Sequence, residues 1–256
     1  MTDVQEFRKL AESFGGVAAE YDRARPSYPQ ELFDELERLA GRPLRGARVL
    51  DVGAGTGIST RLLAARGADV VGVEPSAGMA AQFLASGPGL ALVKGTGDEL
   101  PFHDRSADFV TYAQAFHWTR PERSVPEAIR VLRPGGALAA WWNVMDQEVP
   151  WVRAACVRER ELVPGAVRQF EELETAAEQW RRLGLESVGT VLRWERRTTV
   201  DHLVTDLSSR SYVAVLDEDR RRVLLEGERE ALRAEFPDGR ITVPYLLDLT
   251  LAVVPR

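Results

Sequence analysis

Helical and strand periodicities succeed one another along the chain and predict most of its elements. Apolar positions at helical spacing predict a short amphipathic helix over residues 3–13. Phe14–Pro29 holds too many Gly, Tyr and Pro residues for one element. Gln30–Ala40 returns to helical spacing, with Leu32, Phe33, Leu36 and Leu39 on one side. From Ala47 short apolar runs alternate with helical segments. Strands are predicted at 47–52, 69–73, 90–93, 107–112 and 137–142. Between them lie helices over 58–66, with Ile58, Leu62 and Leu63 inward, from an N-capping Ser76 to Ala85, and over 121–132, stopped by Pro134-Gly135-Gly136. Such alternation implies a parallel sheet covered on both faces and wound by right-handed crossovers. After Asn143 the pattern loosens: helices are expected at 151–162 and 170–183, an alternating strand at 186–199, mostly helices over 200–236, and one or two closing strands over 241–254. The helical piece between the last two strand regions is a candidate lid.

Composition narrows the class. A chain of 256 residues, 45% hydrophobic and 28% charged, has ordinary globular make-up and the length of one domain with an elaboration. No run approaches the ~20 apolar residues that span a bilayer. Met1-Thr2-Asp3-Val4-Gln5-Glu6 lacks the basic and apolar regions of a secretory signal. One cysteine, Cys156, allows no intrachain disulfide, and a reducing, cytoplasmic setting is expected. The net charge is −6, and the clusters Arg196-Arg197 and Arg220-Arg221-Arg222 sit among acids, as on solvated helix faces, so neither a nucleic acid nor a membrane is an expected partner. His103, His117 and His202 are too scattered to suggest a metal site.

The chemistry starts at Asp51-Val52-Gly53-Ala54-Gly55-Thr56-Gly57, between a strand and a helix. Glycines there let the backbone turn tightly and approach a ligand, and the helix start offers free N–H groups. Glu74 ends the next strand, about 20 residues beyond the first glycine, the spacing of an acid that accepts from ribose hydroxyls. A dinucleotide fingerprint has its third glycine three positions after the second, where Ile58 stands. An NAD(P)-linked oxidoreductase is thereby disfavoured and stays open.

Four ordered motifs over residues 47–142 resemble those of the class I S-adenosylmethionine (SAM)-dependent methyltransferases, in particular the small-molecule group called methyltransferase type 11. They are Val49–Gly57; Val71-Gly72-Val73-Glu74-Pro75-Ser76 with Met79; Leu100-Pro101-Phe102 with Asp108-Phe109-Val110; and Arg130-Val131-Leu132-Arg133-Pro134-Gly135-Gly136. Upstream, Phe14, Tyr21, Arg25-Pro26 and Tyr28-Pro29 resemble the family's N-terminal segment. The resemblance implies a Rossmann-like, doubly wound, seven-stranded, mostly parallel sheet with its last strand antiparallel. It implies a single domain with an N-terminal helical cover (1–46), a SAM-binding core (47–146), and lid helices with closing strands (147–256).

It further implies that Gly53, Ala54 and Gly55 face the methionine part of SAM, with Gly57 a further cofactor-binding residue, that Glu74 holds the ribose, and that Pro75 and Met79 lie near adenine. Thr96 replaces the acid usual in the family's next segment, so Gly97, Asp98 and Glu99 are assigned to the adenine side. Ala113 and Gln114 border the amino-acid end, and Tyr21 and Arg25 are further cofactor candidates. Methyl transfer is an in-line displacement in which the cofactor brings the hard chemistry. His117, just past the fourth strand, and Tyr21 are the candidates for removing an acceptor proton. Tyr28, Trp118, Trp142, Arg210 and Tyr212 are the candidates for the acceptor pocket, with Arg210 offered to an acidic group. Trp141 and Trp142, adjacent on a strand, point to opposite faces, one into the core. The expected partner is a small-molecule acceptor, and the protein is expected to be a monomer or homodimer. A SAM-binding protein without methyl transfer is the other reading left open.

Overall fold

A computed structural model describes residues 18–163, 174–214 and 216–255. Its seven strands form one sheet in the order β3-β2-β1-β4-β5-β7-β6, with β1 Arg48–Val52, β2 Asp69–Val73, β3 Ala91–Val93, β4 Ala107–Ala113, β5 Leu132–Met145, β6 Val188–Thr199 and β7 Arg240–Val253. β1 pairs in parallel with β2 (Val49 opposite Val70) and with β4 (Val49 opposite Phe109). β7 runs antiparallel to β5: Gly135 N–H donates to Val254 O at 3.0 Å, and Asp146 N–H to Pro244 O at 3.0 Å. The runs Val49–Val52 and Ala107–Tyr112 are buried throughout, as strands covered on both faces must be. β6 and much of β7 alternate instead.

The helices are α1 Ala18–Ala24, α2 Gln30–Ala40, α3 Ile58–Ala65, α4 Ala77–Ser86, α5 Pro121–Val131, α6 Pro150–Leu162, α7 Ala176–Arg182, α8 Val200–Ser208, α9 Ser211–Ala214 and α10 Glu218–Glu235. Phe116–Trp118 adds a 3-10 turn that the sequence did not predict. α2 buries Leu32, Phe33 and Leu36 and ends on Gly41 in the left-handed region, which satisfies its last carbonyls. Ser76 caps α4 as expected.

Four elements differ from the periodicity reading. β5 starts at Leu132, because Pro134-Gly135-Gly136 is carried as an irregularity within the strand: its register against β4 jumps from Ala107–Leu132 to Phe109–Ala137. α1 occupies part of the stretch expected to be broken. Its residues Ala-Ala-Glu-Tyr-Asp-Arg-Ala are mostly good helix formers, and Pro26 follows closely. The helix expected over 170–183 covers Ala176–Arg182, started by a capping box of Thr175 and Glu178; residues 170–173 lie outside the described residues, as does the helix expected at 3–13. On α3 the buried residues are Ser59, Thr60 and Leu63, whereas Ile58 and Leu62 are half-buried.

Contacts divide the chain into two compact units: Met1–Pro26, Val144–Leu173 and Arg193–Leu246 in one, and Ser27–Asn143, Glu174–Leu192 and Leu247–Arg256 in the other. The second has a core around Leu50, Val110, Tyr112, Phe116, Leu138 and Trp180. The first has its own, around Val200, Leu203, Val204, Leu232, Val243 and Tyr245. Trp141 is fully buried and Trp142 half-buried, as their adjacency on one strand requires.

Candidate active site

The glycine turn is tied to the end of β2. The amides of Gly53 and Ala54 donate to Val73 O at 2.9 and 3.1 Å. One step further, Gly55 N–H donates to a Glu74 carboxylate oxygen at 2.9 Å, and the other oxygen accepts from Ser76 N–H at 2.8 Å. Glu74 is 7% exposed, and burial raises its pKa against the lowering effect of those two amides. Gly53 has φ +69°, and a Cβ there would stand 2.5 Å from the Ala115 Cβ. No other residue type fits between the turn and the segment that follows β4.

β4 ends in a sharp bend. Gln114 sits at φ +57°, a left-handed conformation that costs a non-glycine residue about 1–2 kcal/mol. Its amide donates to Trp141 O at 2.9 Å, and its side-chain amide reaches Asn143 O at 3.4 Å. Half-buried Ala113 precedes it. On the 3-10 turn beyond, His117 Nδ1 accepts from the Trp142 indole N–H at 3.3 Å, and its ring lies 4.9 Å from that of Trp118. A neutral imidazole accepting on Nδ1 carries its proton on Nε2. The C-terminal ends of β4 and β5 thus bring Gln114, His117, Trp118 and Trp142 together. Tyr28 is buried edge-on against Trp141, with ring centroids 6.0 Å apart.

On the segment after β3 Gly97 is buried, and a Cβ there would stand 2.8 Å from the Tyr112 hydroxyl and 2.9 Å from a Thr119 methyl. That hydroxyl is fully buried and hydrogen-bonds nothing among the described residues. Burial first, then the charges of Asp98 and Glu127, push its pKa far up. Both Asp98 oxygens accept from Arg120, one from its backbone N–H at 2.8 Å and one from its guanidinium at 2.6 Å. Glu99 and Pro75 are exposed, and Met79 is buried.

The remaining predicted residues belong to the other unit. The Arg25 guanidinium lies 4.6 Å from the centroid of the Tyr21 ring and 3.7 Å from an Asp206 carboxylate oxygen. Arg210 is already met by acids: its Nη1 contacts both Glu159 oxygens at 3.1 and 3.2 Å, and its Nη2 lies 3.8 Å from Asp206. Tyr212 donates to Glu159 at 2.8 Å and accepts from Arg210 at 2.9 Å. Burial pushes its pKa up to about 12. Arg210 therefore stands in a neutralised buried cluster rather than as an open cation.

A methyltransferase domain family matches residues 50–140. An uncharacterized methyltransferase of Mycobacterium tuberculosis is 37% identical over 243 residues, 93% of this chain and 94% of its own length. The chain belongs to the class I SAM-dependent methyltransferases. A structure from Anaeromyxobacter dehalogenans assigned as a type II methyltransferase superposes on this methyltransferase with a TM-score of 0.65 at 26% identity, covering 91% of this chain and 99% of that one. Phosphoethanolamine N-methyltransferase 2 of Haemonchus contortus, whose structure is in complex with SAM, shares the fold (TM-score 0.55, 16% identity, 94% of this chain and 57% of that one).

Asp51 opens the glycine motif of the methyltransferase, but the sequence reading gave it no role. It is fully buried at the end of β1, accepts from the hydroxyls of Thr60 at 2.6 Å and Thr111 at 2.9 Å, and is pushed by burial up to about 6. The signal was present: an acid within the otherwise apolar run Val49-Leu50-Asp51-Val52. Among the described residues no helix is long and apolar enough to cross a membrane, and no group of His, Cys, Asp and Glu is placed to hold a metal.

Proposed function

We propose that this methyltransferase binds SAM over the C-terminal ends of β1, β2 and β4 and directs its methyl group to a small-molecule acceptor. The observation that carries this reading is the Glu74 carboxylate fixed against the Gly55 amide at 2.9 Å. Each carboxylate oxygen has accepted one backbone N–H and retains a lone pair for a ribose hydroxyl. A Cβ at Gly55 would meet nothing within 4 Å, so the turn leaves room on that side for a ligand to approach its backbone. Bound there, SAM supplies a methyl group already activated by a positively charged sulfur.

What remains for the chain is placement and exclusion of water. Placement is worth up to about 7–11 kcal/mol, whereas a general base adds about 10²–10⁴-fold, or roughly 3–5 kcal/mol. Gln114 holds the backbone bend after β4, and the rings of Trp118 and Trp142 flank His117 beside it. The sequence assigns an acceptor proton to His117 or Tyr21. If H117A and Y21F both keep near-normal turnover, placement alone accounts for the rate.

The test is calorimetry and thermal denaturation with S-adenosylhomocysteine and, separately, NADH. At a hundred times its Kd, S-adenosylhomocysteine stabilises the fold by about 2.7 kcal/mol. Stabilisation by NADH instead, or identical binding by Glu74→Ala, overturns the reading. Incubation with SAM and fractionated metabolites then identifies the acceptor by its gain of one methyl group.

A further inference from the structure

β6 closes one side of the sheet, and among the described residues no strand pairs with its outer edge. It runs 12 residues, about twice the usual strand length. Open edges of that length are templates for pairing, and proteins commonly blunt them with proline, bulges or like-charged side chains. Val188–Thr199 contains no proline, and its charges have both signs. Val191, Arg193, Glu195, Arg197 and Thr199 form an exposed face, while Thr190, Leu192, Trp194, Arg196 and Thr198 are half-buried on the other. Val191 is 58% exposed.

We propose that β6 is the seam of a homodimer, pairing antiparallel with β6 of a second copy about a twofold axis through Trp194. That axis keeps nearly the whole strand in register, with Gly189 opposite Thr199. It aligns exposed face with exposed face, as residues directly across an antiparallel ladder must be. It places Arg193 opposite Glu195 of the second copy, and by symmetry Glu195 opposite Arg193. Val191 falls opposite Arg197, whose aliphatic stem covers it.

Neighbouring registers lose either charge complementarity or overlap; an axis through Leu192, for one, pairs only 188–196 and sets Arg193 against Val191. An axis through Arg193 sets arginine against arginine. An axis through Glu195 sets glutamate against glutamate and Arg193 against Arg197. An axis through Arg196 restores opposite charges, Glu195 against Arg197, but pairs only the half of the strand from Arg193 onward. Maximum overlap and opposite charge therefore coincide at Trp194. Its indole already stacks on Tyr245, with ring centroids 5.0 Å apart and planes at 19°, and the axis extends that stack with its symmetry mate.

The charges are available for this use. Glu195 and Arg197 make no ion pair among the described residues. Arg193 is 67% exposed and touches Glu148 at 2.9 Å and Asp146 at 3.5 Å, surface pairs that hold it weakly.

Light scattering on the full chain across a dilution series tests the seam, with circular dichroism confirming that each variant is folded. The expected mass rises with concentration from 28.4 kDa toward twice that value. Glu195→Arg and Arg193→Glu each set like charges against each other twice per dimer and weaken dimerisation by about tenfold or more, and the double exchange R193E/E195R restores it. A monomer at every concentration, a dimer indifferent to the single exchanges, or a double exchange that restores nothing overturns the proposal.

Discussion

The Glu74 carboxylate and the Gly55 amide, 19 positions apart in sequence, are held together at 2.9 Å, and this bond joins the two amide bonds to Val73 O in fixing the glycine turn to the end of β2. A buried carboxylate that orders two amides is costly to remove, because both N–H groups lose their acceptor. Glu74→Ala is expected to weaken S-adenosylhomocysteine binding by about 10–100-fold, the equivalent of a charged hydrogen bond of roughly 1.5–3 kcal/mol. Titration calorimetry reads the affinity, and urea unfolding reads the accompanying loss of stability.

Asp51 makes stability depend on acidity in an unusual direction. Burial pushes its pKa from 3.8 up to about 6, against the lowering effect of the Thr60 and Thr111 hydroxyls. Between those values the folded chain holds a proton that the unfolded chain has lost, so stability falls as pH rises through the window from about 4 to 6. The shift corresponds to roughly 3 kcal/mol at about 1.36 kcal/mol per unit. Asp51→Asn cannot ionise and removes this contribution. Urea midpoints of the two proteins measured across that window should converge at the acid end and diverge toward neutrality. Parallel curves would refute the assignment.

How far these features could be read in the sequence depends on whether their partners lie nearby along the chain. The alternation of β1, α3, β2 and α4 was legible because its two periods differ and its caps are local, Ser76 above all. The Gly53–Gly57 turn and Glu74 were legible because their spacing reflects one βαβ unit. Pro134-Gly135-Gly136 read as a boundary, but the distant Val254 backbone pairs with Gly135 and Gly136 and keeps them inside β5. Ser59 and Thr60 were missed on the inner face of α3 because periodicity counts only apolar side chains, whereas Thr60 is drawn inward by Asp51. Arg210 read as an open cation because Glu159, its neutralising partner, is 51 positions away.

The close approach of Gly53 to Ala115 yields a paired prediction. Gly53→Ala drives a methyl group to 2.5 Å from the Ala115 Cβ and also forces alanine into the left-handed region. The first penalty is steric and the second is about 1–2 kcal/mol of backbone strain. Adding Ala115→Gly removes only the steric part. The double variant should therefore be more stable than Gly53→Ala, by about 1 kcal/mol or more, and still less stable than the parent. Thermal denaturation of the four proteins closes the cycle. Strict additivity would mean that the two positions do not meet.

Gln114 pairs strain with position. Glycine at φ +57° relieves about 1–2 kcal/mol of strain but adds roughly 0.5–1 kcal/mol of unfolded-state entropy. Gln114→Gly is therefore expected to leave stability unchanged or slightly raised, while losing the side-chain bond to Asn143. Weaker S-adenosylhomocysteine binding without a lower melting temperature supports a binding role for the side chain. A fall in both would assign it a purely structural one.

The indole of Trp142 bears on the tautomer of His117. Its N–H donates to Nδ1 at 3.3 Å, so the neutral ring keeps its proton on Nε2 and spends its lone pair inside the protein. A base acting through Nε2 would have to exchange tautomers and abandon the Trp142 bond, and this favours placement over proton abstraction in the resting arrangement. Nitrogen-15 NMR tests the point directly, since the chain has only three histidines and their ring signals separate readily. The parent should show the Nε2–H tautomer at His117, and Trp142→Phe should shift it toward a mixture because the donor is gone. If His117 is instead protonated on Nδ1 in the parent, the Trp142 contact does not set the tautomer, the ring's lone pair lies on Nε2, and proton abstraction by His117 becomes the better account of the site.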